Sequence, residues 1–546
     1  MPLLDGNLEL IKKELDLNTK ELNNILFDFG LEVEEINEEN NEIKIDITAN
    51  RLELLSNYSL IEHLKYFLGK KENSFPIIKE SGLKVFVDKK NKRKTLSFVL
   101  KNVKIDEERL KDAINFQEKI HISLFRKRKK AALGLYDLDK IKGNIFFKAL
   151  RPEEVRFIPL GEEKEVVGKE LLKTKKGKEY GYLLEKYEKD GYWPVFLDEE
   201  GNILSVPPII NAEDVGNVSI KTKNIFIELS GDDLEYLKGH LPFLIKVFHS
   251  IFGGEIYGVE TFFGDFSIKT EDLIKKKELK DLSFVKRYFN LSLSEKEIKN
   301  LLKKVAYIEE NNKLFLPWYR YDLFTEQDIA EDLAIAYGID KIPFEEPKLF
   351  TIGKIDPLEE KKDHLKELLI GLGFLEVIGE FLTSNKKLVY FEKNNDIKLL
   401  NSADENFDTV RTTLKISLLE FLQNNNRYSY PQKIFEIGRI YYNKEKKEVE
   451  NLAFAWSENK ISYNEAKQVI LYLLERMGIN NRLLEFKESK KPYFIEGRQA
   501  EIFYKNEKIA EIGELNPEIL LKFDLDIPTI MGEIFDIFRI IKFNKI

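Results

Sequence analysis

Chemistry in this chain is most visible where acidic and polar side chains fall at fixed spacings. In Arg320-Tyr321-Asp322-Leu323-Phe324-Thr325-Glu326-Gln327-Asp328-Ile329-Ala330-Glu331-Asp332, positions 328, 331 and 332 stand at i, i+3 and i+4. A helix would project these carboxylates from one face of its first turns, and Asp322 can fold over the same end. Oxygen ligands with neither Cys nor His suit a hard cation such as Mg2+. The same acids can also simply cap the helix and complement its dipole.

A second constellation lies in Leu204-Ser205-Val206-Pro207-Pro208-Ile209-Ile210-Asn211 and Asn224-Ile225-Phe226-Ile227-Glu228-Leu229-Ser230-Gly231. The proline pair fixes a backbone path, and Asn211 at its end can bond to backbone or to a ligand. On a strand, Glu228 and Ser230 point to one side; that face could read a small polar group or merely decorate a sheet. Arg126-Lys127-Arg128-Lys129-Lys130, following a helix at 113–125, is an unusual run of cations for an acidic chain. It suits phosphate, and equally a solvated helix end. No G-x-x-x-x-G-K-[ST] phosphate loop, G-x-S-x-G elbow or H-E-x-x-H helix occurs, and the five histidines show no ligand spacing.

Positioning these groups takes several folding units, since 546 residues exceed one core and suggest roughly three or four. Residues 1–75 read as a small α+β domain. Asn18-Thr19 caps a helix carrying Leu22, Ile25, Leu26 and Phe29, Gly30 stops it, and Ile43, Ile45 and Ile47 alternate as a strand. Residues 76–270 form a larger mixed α/β domain with strands near 95–103, 131–135, 194–197, 224–229 and 256–263. Residues 271–345 hold a strand entering a turn at 286–291, an amphipathic helix at 294–305, a strand at 314–318 and the acidic helix at 325–337. Residues 346–546 open on a leucine-bearing helix at 356–372. Their strands near 376–382, 433–442, 452–456, 500–504 and 530–537 predict an antiparallel sheet with helices on one face. The fold class is multidomain α+β.

The composition excludes several functions. A formal net charge of −8 argues against coating nucleic acid by bulk attraction. Cysteine is absent, which removes disulfides and thiolate chemistry and fits a reducing compartment. The longest apolar run, 241–252, is broken by Lys246 and His249, so no membrane span is expected. The N-terminus lacks a basic patch leading into an apolar run, and no signal peptide is expected.

Read in order, these segments resemble one family, the β subunits of phenylalanyl-tRNA synthetase of the archaeal/eukaryotic-cytosolic type. Asp46-Ile47-Thr48-Ala49-Asn50-Arg51-Leu52-Glu53-Leu54-Leu55 resembles the signature of its N-terminal domain. Phe116-Gln117-Glu118, Arg126-Lys127-Arg128 and Gly134-Leu135-Tyr136-Asp137 are similar to the start of its tRNA-editing domain, and 204–211 with 224–231 to that domain's later motifs. Asp322 through Gly338 matches the acidic helix. Val410-Arg411-Thr412-Thr413-Leu414, Ile434 through Arg439 and Gly497-Arg498-Gln499-Ala500-Glu501 resemble the C-terminal module. The length suits the form that lacks the extra insertion and anticodon domain of long bacterial chains.

The resemblance implies a cytoplasmic α2β2 heterotetramer acting on tRNA(Phe), in which the α subunit binds ATP and activates phenylalanine. It implies an N-terminal domain at 1–75, a tRNA-editing domain at 76–270, a Mg2+-binding acidic-helix domain at 271–345 and an inactive class II catalytic-like module at 346–546. Arg411, Arg439 and Arg498 would then bond within that module or to α. Asp322, Asp328, Glu331 and Asp332 become candidate Mg2+ ligands of structural role. Phe196, Ser205, Asn211, Glu228 and Ser230 become the pocket that hydrolyses mischarged Tyr-tRNA(Phe), with Glu228 or Ser230 receiving the phenol. The family often carries aspartate and threonine at those last two positions, where this chain has the longer Glu228 and the smaller Ser230. Two other readings stay open: an assembly scaffold that no longer edits, and a stand-alone RNA-binding protein derived from a synthetase.

Overall fold

A computed structural model describes residues 2–289, 291–344, 346–347, 349–391, 397–442 and 447–542. The chain divides into two compact units, residues 1–346 and 347–546. Within the first, Leu3–Asn7, Glu42–Asp46 and Glu32–Asn37 form a three-stranded antiparallel sheet in that order. The helix Thr19–Asp28 starts on a capping box in which Asn18 and Glu21 satisfy each other's backbone N–H groups, and Gly30 just past it takes φ +86°.

The site depends on a larger sheet of ten strands. Its main path runs Ile210–Asn211, Ile203–Val206, Trp193–Leu197, Ile145–Leu150, Ile78–Val87, Glu255–Phe262, Lys94–Lys101, Asn224–Gly231 and Ala131–Asp137; Ser267–Lys269 pairs off it. The two ends of this path meet. Asn211 on the first strand donates from Nδ2 to the Leu135 carbonyl of the last at 3.0 Å, and the Tyr136 hydroxyl donates to Ser205 Oγ at 2.8 Å. The sheet therefore curls round on itself. Strand alternation sorts its side chains: Ile225, Ile227 and Leu229 join the outer core, while Phe226 joins an inner core with Phe147, Phe196 and Trp193. Glu228 and Ser230 share the inner face with Phe226.

The apolar run near 241–252 is part of Leu234–Phe252, a helix whose Phe243, Leu244, Val247 and Phe248 are fully buried in the outer core. Its Lys246 is buried too, paired with Glu62 at 2.9 Å. Among the described residues no helix is long and apolar enough to cross a membrane. The strand expected at 286–291 is instead the helix Phe284–Phe289, with residue 290 outside the described residues. Phe284 and Val285 are buried side by side and residues 286–288 are exposed, a pattern that suits a helical turn and breaks strand alternation.

The second unit is built on seven strands in the order Leu375–Glu376, Gln432–Tyr442, Lys447–Ser457, Thr529–Ile534, Glu507–Leu515, Phe494–Tyr504 and Leu484–Glu488. All neighbours are antiparallel except the first pair. Helices cover both faces, not one. Leu452 and Phe454 join the core under Pro357–Gly371 and Tyr463–Arg476, whereas Ala453 and Ala455 join the core under Lys415–Asn424. The single strand expected at 376–382 is interrupted. A Cβ at Gly379 would lie 2.2 Å from Ser417 Cβ, and the Gly379 and Glu380 carbonyls accept from Arg411 at 3.4 Å rather than from a neighbouring strand.

Candidate functional site

The seam where the large sheet closes holds a cleft of about 330 Å3, lined in part by Gln117, Arg128, Leu135, Pro208, Asn211 and Glu228. Strand register explains which groups reach it. Glu228 sits directly across from Gly134 on one side and Ser97 on the other, while Ser205 pairs with Phe196 and with Asn211. Gly134 has no side chain to cover Glu228. A Cβ there would lie 2.8 Å from Glu228 Oε1 and 2.6 Å from the Tyr136 hydroxyl oxygen.

Glu228 is 2% exposed, and its Oε2 has no hydrogen-bond partner. Burial pushes its carboxyl up to about 7, against the opposing pull of the Arg93 guanidinium. The Tyr136 hydroxyl lies 3.4 Å from Oε1, and burial keeps that phenol protonated well above its ordinary range. Such a carboxyl can exchange a proton near neutral pH, a property that buried, perturbed groups in clefts share with functional sites.

Of the residues expected in an editing pocket, Asn211 and Glu228 line the cleft, whereas Phe196, Ser205 and Ser230 lie behind it. Phe196 is fully buried and stacked on Phe147 with centroids 4.0 Å apart. Ser230 accepts from Arg93 Nε at 3.1 Å, and its carbonyl accepts from the same guanidinium at 2.6 Å. Sequence reasoning missed Arg93 and Tyr136. The latter stands in a quoted motif, but only the sheet's closure brings it to Ser205.

The basic run divides. The preceding helix ends at Ile122, and Arg126, Lys127 and Arg128 follow in left-handed backbone with φ of 48°, 53° and 64°. That turn points Arg128 inward. Its guanidinium donates to the carbonyls of Pro208 at 3.1 Å and Ile209 at 2.9 Å and lies 4.3 Å from the Tyr180 ring. It builds the cleft wall, while the other four cations stay exposed.

The acidic helix is Glu326–Tyr337, and its four expected metal ligands do not converge. Asp328 caps the helix. Its Oδ2 accepts from the N–H groups of Phe324 at 2.8 Å and Thr325 at 2.6 Å, and these bonds lower its pKa. Asp322 and Asp332 are buried and share one guanidinium. Arg320 donates to Asp322 at 2.6 and 2.7 Å and approaches Asp332 at 3.3 Å; Tyr307 donates to Asp332 at 3.0 Å. Glu331 is exposed. Among the described residues no three His, Cys, Asp or Glu side chains stand together to hold a metal ion. The hard oxygen donors suit Mg2+ chemically, but this arrangement does not fit it, because an arginine already supplies the positive charge. Asn50, from the N-terminal motif, reaches Asp322 at 3.5 Å, so two segments far apart in sequence meet here.

In the second unit, Arg411 pairs with Glu436 at 2.6 Å, Arg498 with Glu514 at 2.9 Å and Arg439 with Glu448 at 3.3 Å. Each of these partners belongs to the same unit. A buried cluster beside them places Lys415 against Glu511 at 2.7 Å and against Glu533.

Known proteins supply the context for this geometry. Family models match three stretches: the phenylalanyl-tRNA synthetase β chain CLM domain at 342–535, the tRNA synthetase B5 domain at 280–339 and the Phe-tRNA synthetase β subunit B1 domain at 1–70. The fold is that of an aminoacyl-tRNA synthetase subunit. The phenylalanine–tRNA ligase β subunit of Thermococcus sibiricus is 34% identical over 507 residues, 89% of each chain. That of Pyrococcus horikoshii is 34% identical across 92% of this chain and 93% of its own, and that of Methanocaldococcus jannaschii 34% across 92% and 94%. The crystal structure of an N-terminal fragment of the P. horikoshii phenylalanyl-tRNA synthetase β subunit superimposes with a TM-score of 0.57 at 32% identity. It covers 62% of this chain and 99% of the fragment. The chain belongs to the family of phenylalanine–tRNA ligase β subunits.

Proposed function

We propose that this chain is the β subunit of a cytoplasmic α2β2 phenylalanine–tRNA ligase. The partner α subunit uses ATP to activate phenylalanine for tRNA(Phe), and the β cleft hydrolyses mischarged Tyr-tRNA(Phe). The proposed division into domains at 1–75, 76–270, 271–345 and 346–546 is supported by family matches within the first and the third and by one, at 342–535, that covers most of the fourth. In the last domain Arg411, Arg498 and Lys415 are neutralised by the unit's own glutamates, which supports a catalytic-like module without activation chemistry. Mg2+ is proposed as a structural cation of the assembled enzyme alone. Binding through Asp322, Asp328, Glu331 and Asp332 would require Arg320 to release both aspartates, and no chemistry is routed through the ion.

Editing has a physical motive. An apolar synthetic pocket rejects an isostere with one added hydroxyl by only about a hundredfold, so a second site that bonds the hydroxyl raises accuracy. The observation that carries the reading is Glu228, a buried carboxyl with one unpartnered oxygen lining a cleft. In the reaction water adds to the ester carbonyl, the bond to the terminal ribose oxygen breaks, and tyrosine and free tRNA leave. The test is deacylation of Tyr-tRNA(Phe) by the co-purified αβ complex. Glu228→Ala is expected to lower the rate by an order of magnitude or more; an unchanged rate overturns the assignment. A second reading, a scaffold that no longer edits, is favoured by one observation: Ser205 and Glu228 already face an internal phenol. A complex that aminoacylates tRNA(Phe) but never clears Tyr-tRNA(Phe) supports it. A stand-alone RNA-binding role fits the net charge of −8 poorly, and a β chain that needs no α partner would revive it.

A further inference from the structure

We propose that Tyr136 is an internal mimic of the substrate tyrosine, whose phenol fills the inner half of the editing cleft and sets its depth. This rests on the hydrolytic reading above and deepens it. The Tyr136 hydroxyl donates to Ser205 Oγ at 2.8 Å and lies 3.4 Å from Glu228 Oε1, the two groups that would otherwise face a bound tyrosyl ring. Tyr136 is itself fully buried, with its ring 5.6 Å from that of Phe226; Phe196 belongs to the same core. A phenol between a serine hydroxyl and a glutamate is the arrangement that recognition of tyrosine requires, and here the chain supplies both sides of it.

This placement accounts for the split among the expected pocket residues. Ser205 is taken up by the Tyr136 hydroxyl and, with Phe196 and Ser230, is buried off the cleft, while Asn211 and Glu228 line it. Gly134 lets the Tyr136 hydroxyl and Glu228 pack over its backbone. A side chain there would strike both the Tyr136 hydroxyl and Glu228. A tyrosyl ester in the cleft meets Glu228 on its lining and reaches Ser205 only if Tyr136 swings out. The internal phenol thus competes with the substrate phenol for one set of partners, and its hydroxyl bonds hold the pocket shallow.

The test uses the co-purified αβ complex and two variants. Tyr136→Ala deletes the ring; Tyr136→Phe keeps the ring and drops the hydroxyl. Binding is read with p-cresol against toluene, a pair differing by the hydroxyl alone. Tyr136→Ala is expected to take up p-cresol in preference to toluene and to clear Tyr-tRNA(Phe) faster than wild type. Tyr136→Phe is expected to gain less, about fivefold, the worth of one hydrogen bond. A merely structural tyrosine predicts the opposite sign, since both variants would then lose activity. No p-cresol uptake by Tyr136→Ala overturns the proposal, and so does a deacylation rate at or below wild type where Glu228→Ala shows that the cleft hydrolyses. If Tyr136→Ala fails to assemble, Tyr136→Phe decides, and an unchanged or lowered rate sinks the idea. If Glu228→Ala leaves wild-type hydrolysis unchanged while Tyr136→Ala still selects p-cresol, the assignment of hydrolysis to this cleft fails and the substrate-mimic role with it, and only the pocket's preference for a phenol remains.

Discussion

Two buried glutamate clusters in this chain, one in each unit, behave oppositely. Glu511 is buried with Lys415 at 2.7 Å and Lys508 at 2.8 Å, accepts from the Tyr493 hydroxyl, and is held far below the ordinary carboxylate range. Burial raises it and the two lysines overwhelm that effect. Glu228 is equally buried, but the Arg93 guanidinium and the hydroxyls of Ser230, Tyr136 and Thr95 together do not offset its desolvation, and its pKa rises to about 7. Both sit on inner strands of their sheets, so strand position alone does not separate them. What separates them is compensation: a buried charge whose partners are complete serves the fold, and one left short of partners can still exchange protons or bind.

The hardest way to break that comparison is Lys415→Met, which leaves Glu511 and Glu533 facing each other without their shared cation. We expect a loss of about 3–5 kcal/mol in denaturant unfolding of the chain. A loss under about 1 kcal/mol would show that the cluster is not compensated as described.

The next largest effect concerns pH, and the two clusters respond with opposite sign. Glu228 has a folded pKa above its unfolded value of 4.5, so the folded state holds a proton that the unfolded state has released between pH 4.5 and about 7. Stability from this group is therefore full below pH 4.5 and falls as pH rises to about 7, by on the order of 3 kcal/mol. Glu228→Gln should flatten that decline; an unaltered profile removes the titration from Glu228. Glu511, lowered in the folded state, contributes stability above its unfolded value of 4.5 that is lost as pH falls through its folded pKa.

Arg320→Met sharpens the comparison within the first unit by stranding Asp322 and Asp332. We expect a loss of about 2–3 kcal/mol, less than at Lys415 because Tyr307 and Asn50 still donate to the two aspartates. The smallest effect is at the helix cap. Asp328→Ala should cost about 1 kcal/mol through lost bonds to the N–H groups of Phe324 and Thr325. Melting of the variant and the parent is expected to differ by the same amount with Mg2+ and with a chelator. A difference that vanishes on chelation restores the metal-binding reading of the acidic helix.

Local spacing made much of this legible. The capping boxes at Asn18 and Thr325, the alternation through Ile43 and Ile45 and the shared face of Glu228 and Ser230 follow from periodicity and cap chemistry within a few residues. The collinear motifs carried the family. The sequence misjudged 286–291 and 376–382, where a short apolar run is ambiguous between helix and strand and where Arg411 takes the carbonyls a strand would have paired.

What residue types and spacing determined by themselves was which elements form, which family the chain joins and which side chains are worth watching. Only the tertiary structure decided what those side chains face. Tyr136 meets Ser205 because a curled sheet brings its last strand against its first two, and Arg320 lies between Asp322 and Asp332 because a loop folds over a helix. A carboxylate carries the same formal charge in any sequence. Its role is set by the partners that burial leaves within a few ångström, and those come from distant parts of the chain.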